Sequence, residues 1–130
     1  MSLTIKSEEN DGYLQITCHG VYEFNDTLNV FEDAFRLAEE SNNKYLLLDI
    51  REITGITPST IDRFEIGRLV AEIQRSLITF IQIAVVGNEP MIDPQRFGEI
   101  VALNRGAVGK VFTDLDQAIV WIKKTKGEIS

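Results

Sequence analysis

Several kinds of chemistry are excluded by what this 130-residue chain has little of. Cysteine and histidine occur once each, as the neighbours Cys18 and His19. A single cysteine closes no internal disulfide, which fits a reducing compartment. One cysteine and one histidine do not make a zinc ligand set, so no metal is expected. Adjacent strand residues point to opposite faces, so the two are also badly placed to act as a catalytic pair. Cys18 reads as a small core residue and His19 as a strand-end residue. No window is long and apolar enough to span a bilayer. The first residues, Met-Ser-Leu-Thr-Ile-Lys-Ser-Glu-Glu, lack the basic-then-apolar order of a secretory signal, so a cytoplasmic location is expected. Glycine-rich phosphate loops are missing too. Gly87-Asn-Glu-Pro90 has neither dinucleotide-fingerprint spacing nor a P-loop ending, and no cofactor is expected.

Positive charge is scarce at the front of the chain. Residues 1–50 carry three Lys/Arg (Lys6, Arg36, Lys44) against ten Asp/Glu, and the overall formal charge is −7. An acidic first third argues against nucleic acid, which needs a basic face, and against anionic membrane surfaces. The plainer role of this charge is a solvated face that keeps the protein soluble.

What is present is a regular alternation of apolar segments and caps. Length predicts one domain, residues 1–130, large enough to bury a core. Leu3–Lys6 reads as a short strand and residues 7–12 as a polar turn ending in Asp-Gly. Tyr13–Gly20 reads as the returning strand of a hairpin. Asn25–Glu40 is predicted helical. Leu28, Phe31, Phe35 and Ala38 form its apolar stripe, and Asn25 or Asp26 caps it. Tyr45–Ile50 is a buried strand of the kind found in the middle of parallel sheets, followed by a loop, residues 51–56. Thr57 as cap and Pro58 as first residue open a long helix to Ser76. Phe80–Gly87 is the next strand. Asp93 and Pro94 repeat the cap-proline pattern for a helix to Asn104, which Gly106 terminates. Gly109–Phe112 is the last strand, and Asp114-Leu-Asp-Gln117 opens a final helix to Lys124.

The predicted order is therefore β-β-α-β-α-β-α-β-α. Helical crossovers force successive strands to run the same way. The expected fold is α/β, a mixed, mostly parallel five-stranded sheet with helices on its faces and the first strand antiparallel at one side.

This order resembles the STAS-like proteins, the sporulation anti-sigma-factor antagonists and their SpoIIAA-like relatives. The resemblance is carried by Leu-Leu-Leu-Asp-Ile (46–50), Ile-Ala-Val-Val-Gly (83–87), Leu-Asn-Arg-Gly (103–106) and Val-Phe-Thr-Asp-Leu-Asp-Gln-Ala-Ile-Val-Trp-Ile (111–122). It covers nearly the whole chain and implies a non-enzymatic, partner-binding regulatory module. In the antagonists a serine within Asp-Ser-Ser-Gly, at the start of the helix after the central strand, is phosphorylated. Counted from Asp49, the matching positions are Thr57, Pro58, Ser59 and Thr60, with Ser59 at the phosphorylated place. Thr57 stands where that motif has its acid, Pro58 its first serine and Thr60 its glycine.

Read as residues alone, Ser59 and Thr60 lie in a first helical turn. There the free N–H groups and the helix dipole tolerate a phosphate. The simpler reading is that Thr57-Pro-Ser-Thr starts a helix well. In the long helix, Ile66, Leu69, Val70, Ile73 and Leu77 form an arc for the sheet. Ile61, Phe64 and Ala71 form a second, roughly opposite, which packs on a neighbouring helix or on a second chain. Thr54, Thr57, Ile61 and Phe64 are thus the expected partner interface, with a protein partner or a homodimer as its occupant. Asp49, Arg51 and Arg96, at strand ends, are candidates for a small polar ligand. Against this, an acid at a strand end often bonds its own loop. Arg105 and Gly106 read as a helix stop. A second class of function is a carrier of a small apolar, lipid-like ligand, walled by Phe24, Phe31, Phe64, Phe97 and Trp121. An enzyme of unknown reaction is the third.

Overall fold

The computed structural model describes residues 2–127. It consists of β1 (Leu3–Asn10), β2 (Tyr13–Val21), α1 (Phe24–Glu40), β3 (Tyr45–Thr54), α2 (Thr60–Ser76), β4 (Gln82–Val86), α3 (Phe97–Asn104), β5 (Gly109–Phe112) and α4 (Leu115–Thr125). The five strands form one sheet in the order β1-β2-β3-β4-β5. β1 and β2 are antiparallel, and every later pairing is parallel. The mixed, mostly parallel α/β sheet expected from the sequence is the observed one.

The sequential strand order has a consequence for the helices. Each crossover from one strand to the next runs in the same direction across the sheet, and right-handed crossovers then land on the same face. Accordingly α1, α2 and α3 share one face. There Val30, Phe31, Phe35 and Val70 pack with Ala102 on Leu46, Leu48, Ile83 and Val85. α4 follows the last strand and covers the other face, where Ala118 and Ile122 meet Leu47, Ala84, Val86 and Phe112. Strand alternation sorts Leu46, Leu47 and Leu48 between these two layers, and all three are fully buried. An apolar run without alternation is therefore what a central strand covered on both faces requires.

Several boundaries differ from the sequence expectation, each for a local reason. β1 continues through the polar residues to Asn10, because the two-residue turn Asp11–Gly12 brings Asn10 directly opposite Tyr13. Gly12 supplies the left-handed φ of +85° that this turn needs. β3 also runs four residues past Ile50. Glu52, Ile53 and Thr54 pair with His19, Gly20 and Val21 across an irregularity between Thr17 and His19. Pairing with a neighbour turned an expected loop into strand. The cap of α1 is Glu23 rather than Asn25 or Asp26. Its carboxylate accepts from the Asp26 and Asn25 N–H groups. Asp26 instead accepts from Ser2 N at 2.6 Å and Leu3 N at 3.3 Å, tying the start of the chain to α1.

Helix α2 begins two residues later than expected. Ser59, not Thr57, is its N-cap and forms a reciprocal capping box with Asp62. α3 begins at Phe97, after Arg96 in the left-handed conformation. Asp93, expected as the cap, lies three residues before the cap position and accepts from Phe97 N at 2.9 Å. α2 and α3 touch at Gly67, where a Cβ would lie 2.6 Å from the Gly98 carbonyl oxygen. Ala71 lies in the core beneath α2 rather than on a second outward arc.

Gln74 is the main polar element inside. It is 2% exposed, its Nε2 donates to Ile81 O and Val108 O at 2.8 Å each, and its Oε1 accepts from Val108 N at 3.0 Å. α2 is thereby fastened to the beginnings of both β4 and β5. At the β5 edge, Glu99 of α3 accepts from Val111 N at 2.6 Å. This covers a backbone donor that edge strands otherwise leave open.

Candidate functional site

The C-terminal ends of β2 and β3 lie side by side, and the first turn of α2 is held against them. Tyr22 N donates to Thr54 O at 2.8 Å, and Val21 pairs with Thr54. Tyr22 Oη donates to the Asp62 carboxylate at 2.9 Å, fixing α2 to the end of β2. Burial and that carboxylate both push the Tyr22 hydroxyl's pKa well up, so it stays a donor at every physiological pH. The rim so built presents three apolar side chains to solvent: Val21 at 55% exposure, Ile56 at 75% and Ile61 at 74%. Gly55 sits against Val21, and Ile56 follows it directly. Ser59 lies between Ile56 and Ile61 in sequence, exposed, with its hydroxyl accepting from Asp62 N at 3.0 Å.

The charge around this rim has one sign. Segments 21–26 and 52–62 contain Glu23, Asp26, Glu52 and Asp62 and no lysine or arginine. The flanking bases are engaged elsewhere: Arg51 is held by Asp49, and the Arg63 guanidinium donates to Pro90 O at 2.7 Å and lies 3.6 Å from Asp93. This end of the sheet therefore carries exposed aliphatic side chains among carboxylates.

The residues expected at a partner interface are distributed as follows. Ile61 is on the rim. Thr54 and Thr57 are exposed beside it, and the Thr54 hydroxyl reaches Gly20 O at 3.3 Å. Phe64 is half-buried, and the Arg105 guanidinium covers its ring at 5.2 Å from the centroid. A contact within the chain thus occupies the face that the helical wheel assigned to a partner. Ser59 and Thr60 are both exposed. Val21 and Ile56 were missed by sequence reasoning. A single valine at a strand end and an isoleucine in a loop carry no periodic signal, and only the pairing of β2 with β3 sets them together.

The polar-ligand candidates do not converge. Asp49 is 3% exposed, and its two oxygens are held by Arg51, with Nε at 3.0 Å and Nη2 at 2.8 Å. Arg51 N donates to the same carboxylate at 3.0 Å. The carboxylate in turn favours the charged guanidinium, chiefly by hydrogen bonding. Asp49 alternates with Leu48 and pairs with Val86, which places it on the α4 face. Arg96 lies on the other side, beside α3, donating to Asp93 O at 3.0 Å with Glu89 at 3.7 Å. The strand order never reverses, so the sheet has no topological switch point to gather strand-end residues into one crevice.

Cys18 points into the α1–α3 layer, and burial pushes its thiol up to about 11, so it is protonated at neutral pH. His19 is exposed on the opposite face. The aromatic residues expected to wall a ligand cavity are also dispersed. Trp121 packs on Phe112 in the α4 layer, with ring centroids 5.9 Å apart. Of the five, Phe31 alone borders the cavity under α1–α3. No helix among the described residues is long and apolar enough to cross a membrane.

A sequentially ordered, mostly parallel sheet with three crossover helices on one face and one closing helix on the other is the SpoIIAA-like, or STAS-like, fold. Among solved structures the chain is similar to an anti-sigma factor antagonist from Mycobacterium paratuberculosis. The TM-score is 0.61 at 15% identity, covering 94% of this chain and 95% of that one. It is also similar to an uncharacterized protein with a SpoIIAA-like fold from Shewanella loihica, with TM-score 0.49 and 20% identity, over 93% of each chain. No protein-family model and no curated protein sequence matches the chain. The likeness is one of fold.

Proposed function

We propose that this chain is a non-enzymatic regulatory module that docks a protein partner through the rim formed by Val21, Ile56 and Ile61. The observation that carries this reading is the exposure of three aliphatic side chains from a strand end, a loop and a helix start, on a surface otherwise bordered by carboxylates. Isolated exposed aliphatics are ordinary, but a fixed group of them at one rim is what docking surfaces share. The acidic border selects a partner with an apolar pocket edged by lysine or arginine. The fold shared with an anti-sigma factor antagonist adds a precedent for regulation at the level of architecture. A second copy of the chain has the wrong charge for this rim, and a homodimer through it is disfavoured.

Ser59 is the control point of this reading. A phosphate there adds ≈ −1.5 to −2 charge within a ridge that is already acidic. It also meets the free N–H groups of the first α2 turn, which accommodate an anion. At the same time it repels Asp62, which the capping box holds against Ser59. Phosphorylation therefore changes both the charge of the rim and the anchoring of Ile61, two residues away.

The test is site-specific photo-crosslinking in the native host. A photoreactive residue at position 56 is expected to give a discrete adduct. The same residue at position 78, which is more exposed but at the opposite end of α2, gives none. Each rim isoleucine contributes on the order of 1–2 kcal/mol when its exposed part is buried, so Ile61→Asp weakens the adduct about tenfold or more. Equal adducts from positions 56 and 78, or an adduct indifferent to Ile61→Asp, would falsify the proposal.

A further inference from the structure

A cavity of about 150 Å³ lies between the sheet and the helices α1, α2 and α3. Its walls include Leu48 and Ile50 of β3, Val85 of β4, Phe31 of α1 and Ile66 and Val70 of α2. It has a structural cause. α2 and α3 are locked together at the Gly67–Gly98 contact, which fixes their height above the sheet. Among the lining residues of α3 and the turn after it, Gly98, Ala102 and Ala107 are short and leave space unfilled.

The polar groups on the lining are already committed. Arg63 bonds Pro90 O and Met91 O and faces Asp93. Arg96 bonds Asp93 O. Asp93 accepts from Gln95 N and Phe97 N, and Glu99 from Val111 N. Lys110 lies over the Phe112 ring at 5.8 Å. Tyr22 and Thr27 donate to Asp62 and Glu23 O. The Cys18 thiol is protonated and is a weak partner. A buried water needs two to four polar partners, so a lining this apolar, with its polar groups engaged elsewhere, favours a small apolar guest such as benzene over ordered water.

We infer that this cavity is a binding site for a small, uncharged, apolar molecule of about the size of a single aromatic ring. The volume is small for a long acyl chain, and Arg63, Arg96, Asp93 and Glu99 on the lining are held by partners within the chain. The cavity reaches Tyr22, Ile53 and Pro58 beneath the rim, but the exposed Ile56 and Ile61 do not border it. Its failure would leave the docking reading intact.

The experiment titrates the full chain with benzene and follows isoleucine, leucine and valine methyl resonances. Saturable shifts are expected at Ile66, Val70, Val85 and Ile92. Ile122 and Val86, on the α4 face, and Ile56 and Ile61, on the rim, stay unmoved. Benzoate, which carries the same ring with a charge, produces no such shifts. Ala102→Leu fills the space and abolishes the benzene response. Val70→Ile is a milder filling variant that tests the same point should Ala102→Leu fold poorly. Absence of saturable shifts in the wild-type chain, benzoate binding as well as benzene, or shifts confined to the rim would each overturn the inference.

Discussion

Replacing Gln74 with leucine removes a side chain that joins α2 to the starts of β4 and β5. Leucine has a similar volume but no polar atom, so three hydrogen bonds disappear together. Their loss is unequal. Ile81 is fully buried, and its carbonyl is left without that partner inside the core, at a cost of about 2 kcal/mol. The Val108 N–H sits nearer solvent and loses about 1 kcal/mol, because water partly replaces the amide. The Val108 carbonyl keeps its bond from Ile83 N at 3.3 Å and adds little. The expected destabilisation is about 3 kcal/mol, a large share of the 5–15 kcal/mol typical of a domain. Urea titration followed by circular dichroism should show a lower midpoint at unchanged m-value, and the melting temperature should fall by about 10 °C. Gln74→Glu keeps an acceptor for Val108 N but loses the donors and buries a charge. It should be worse than leucine at pH 7 and recover as the carboxyl protonates. A leucine variant within about 0.5 kcal/mol of wild type would refute the idea that the buried amide bridges three elements.

Two further outcomes follow from the caps. Ser59→Ala removes the acceptor for Asp62 N and should cost about 1 kcal/mol, whereas Thr57→Ala should be nearly neutral. A reversed order in the same urea assay would reinstate Thr57 as the helix start. Asp93 is held below its ordinary value of 3.8, chiefly by the Phe97 N–H. A lowered carboxyl pKa contributes stability that is full above the unfolded-state value and lost as pH falls through the folded one. The urea midpoint of wild type minus that of Asp93→Asn should therefore be constant above about pH 5 and shrink below 3.8. A difference that stays flat between about pH 6 and pH 2 would contradict that assignment.

How far the sequence could be read depended on whether a signal was local. The buried run Leu46–Leu48, the Asp-Gly turn and the cap at Asp114 act through near neighbours, and each appears where the sequence placed it. The sequence reading put the cap of α2 at Thr57, and the structure puts it at Ser59. The choice fell to Asp62, whose side chain closes the box only with Ser59. Arg96 could not be sorted from Asp49 and Arg51 by spacing. Which face of the sheet a strand-end residue occupies depends on strand order and pleat.

The chain's own pattern thus determined the number, type and direction of its elements. Buried strands separated by amphipathic helices can close only through crossovers of one hand. Tertiary structure alone decided the rest. It extended β3 by pairing it with β2, set Val21 beside Gly55, covered Phe64 with Arg105, and left an unfilled space beneath α3. These are contacts between residues far apart in sequence. Their geometry is fixed by packing, which no window along the chain contains.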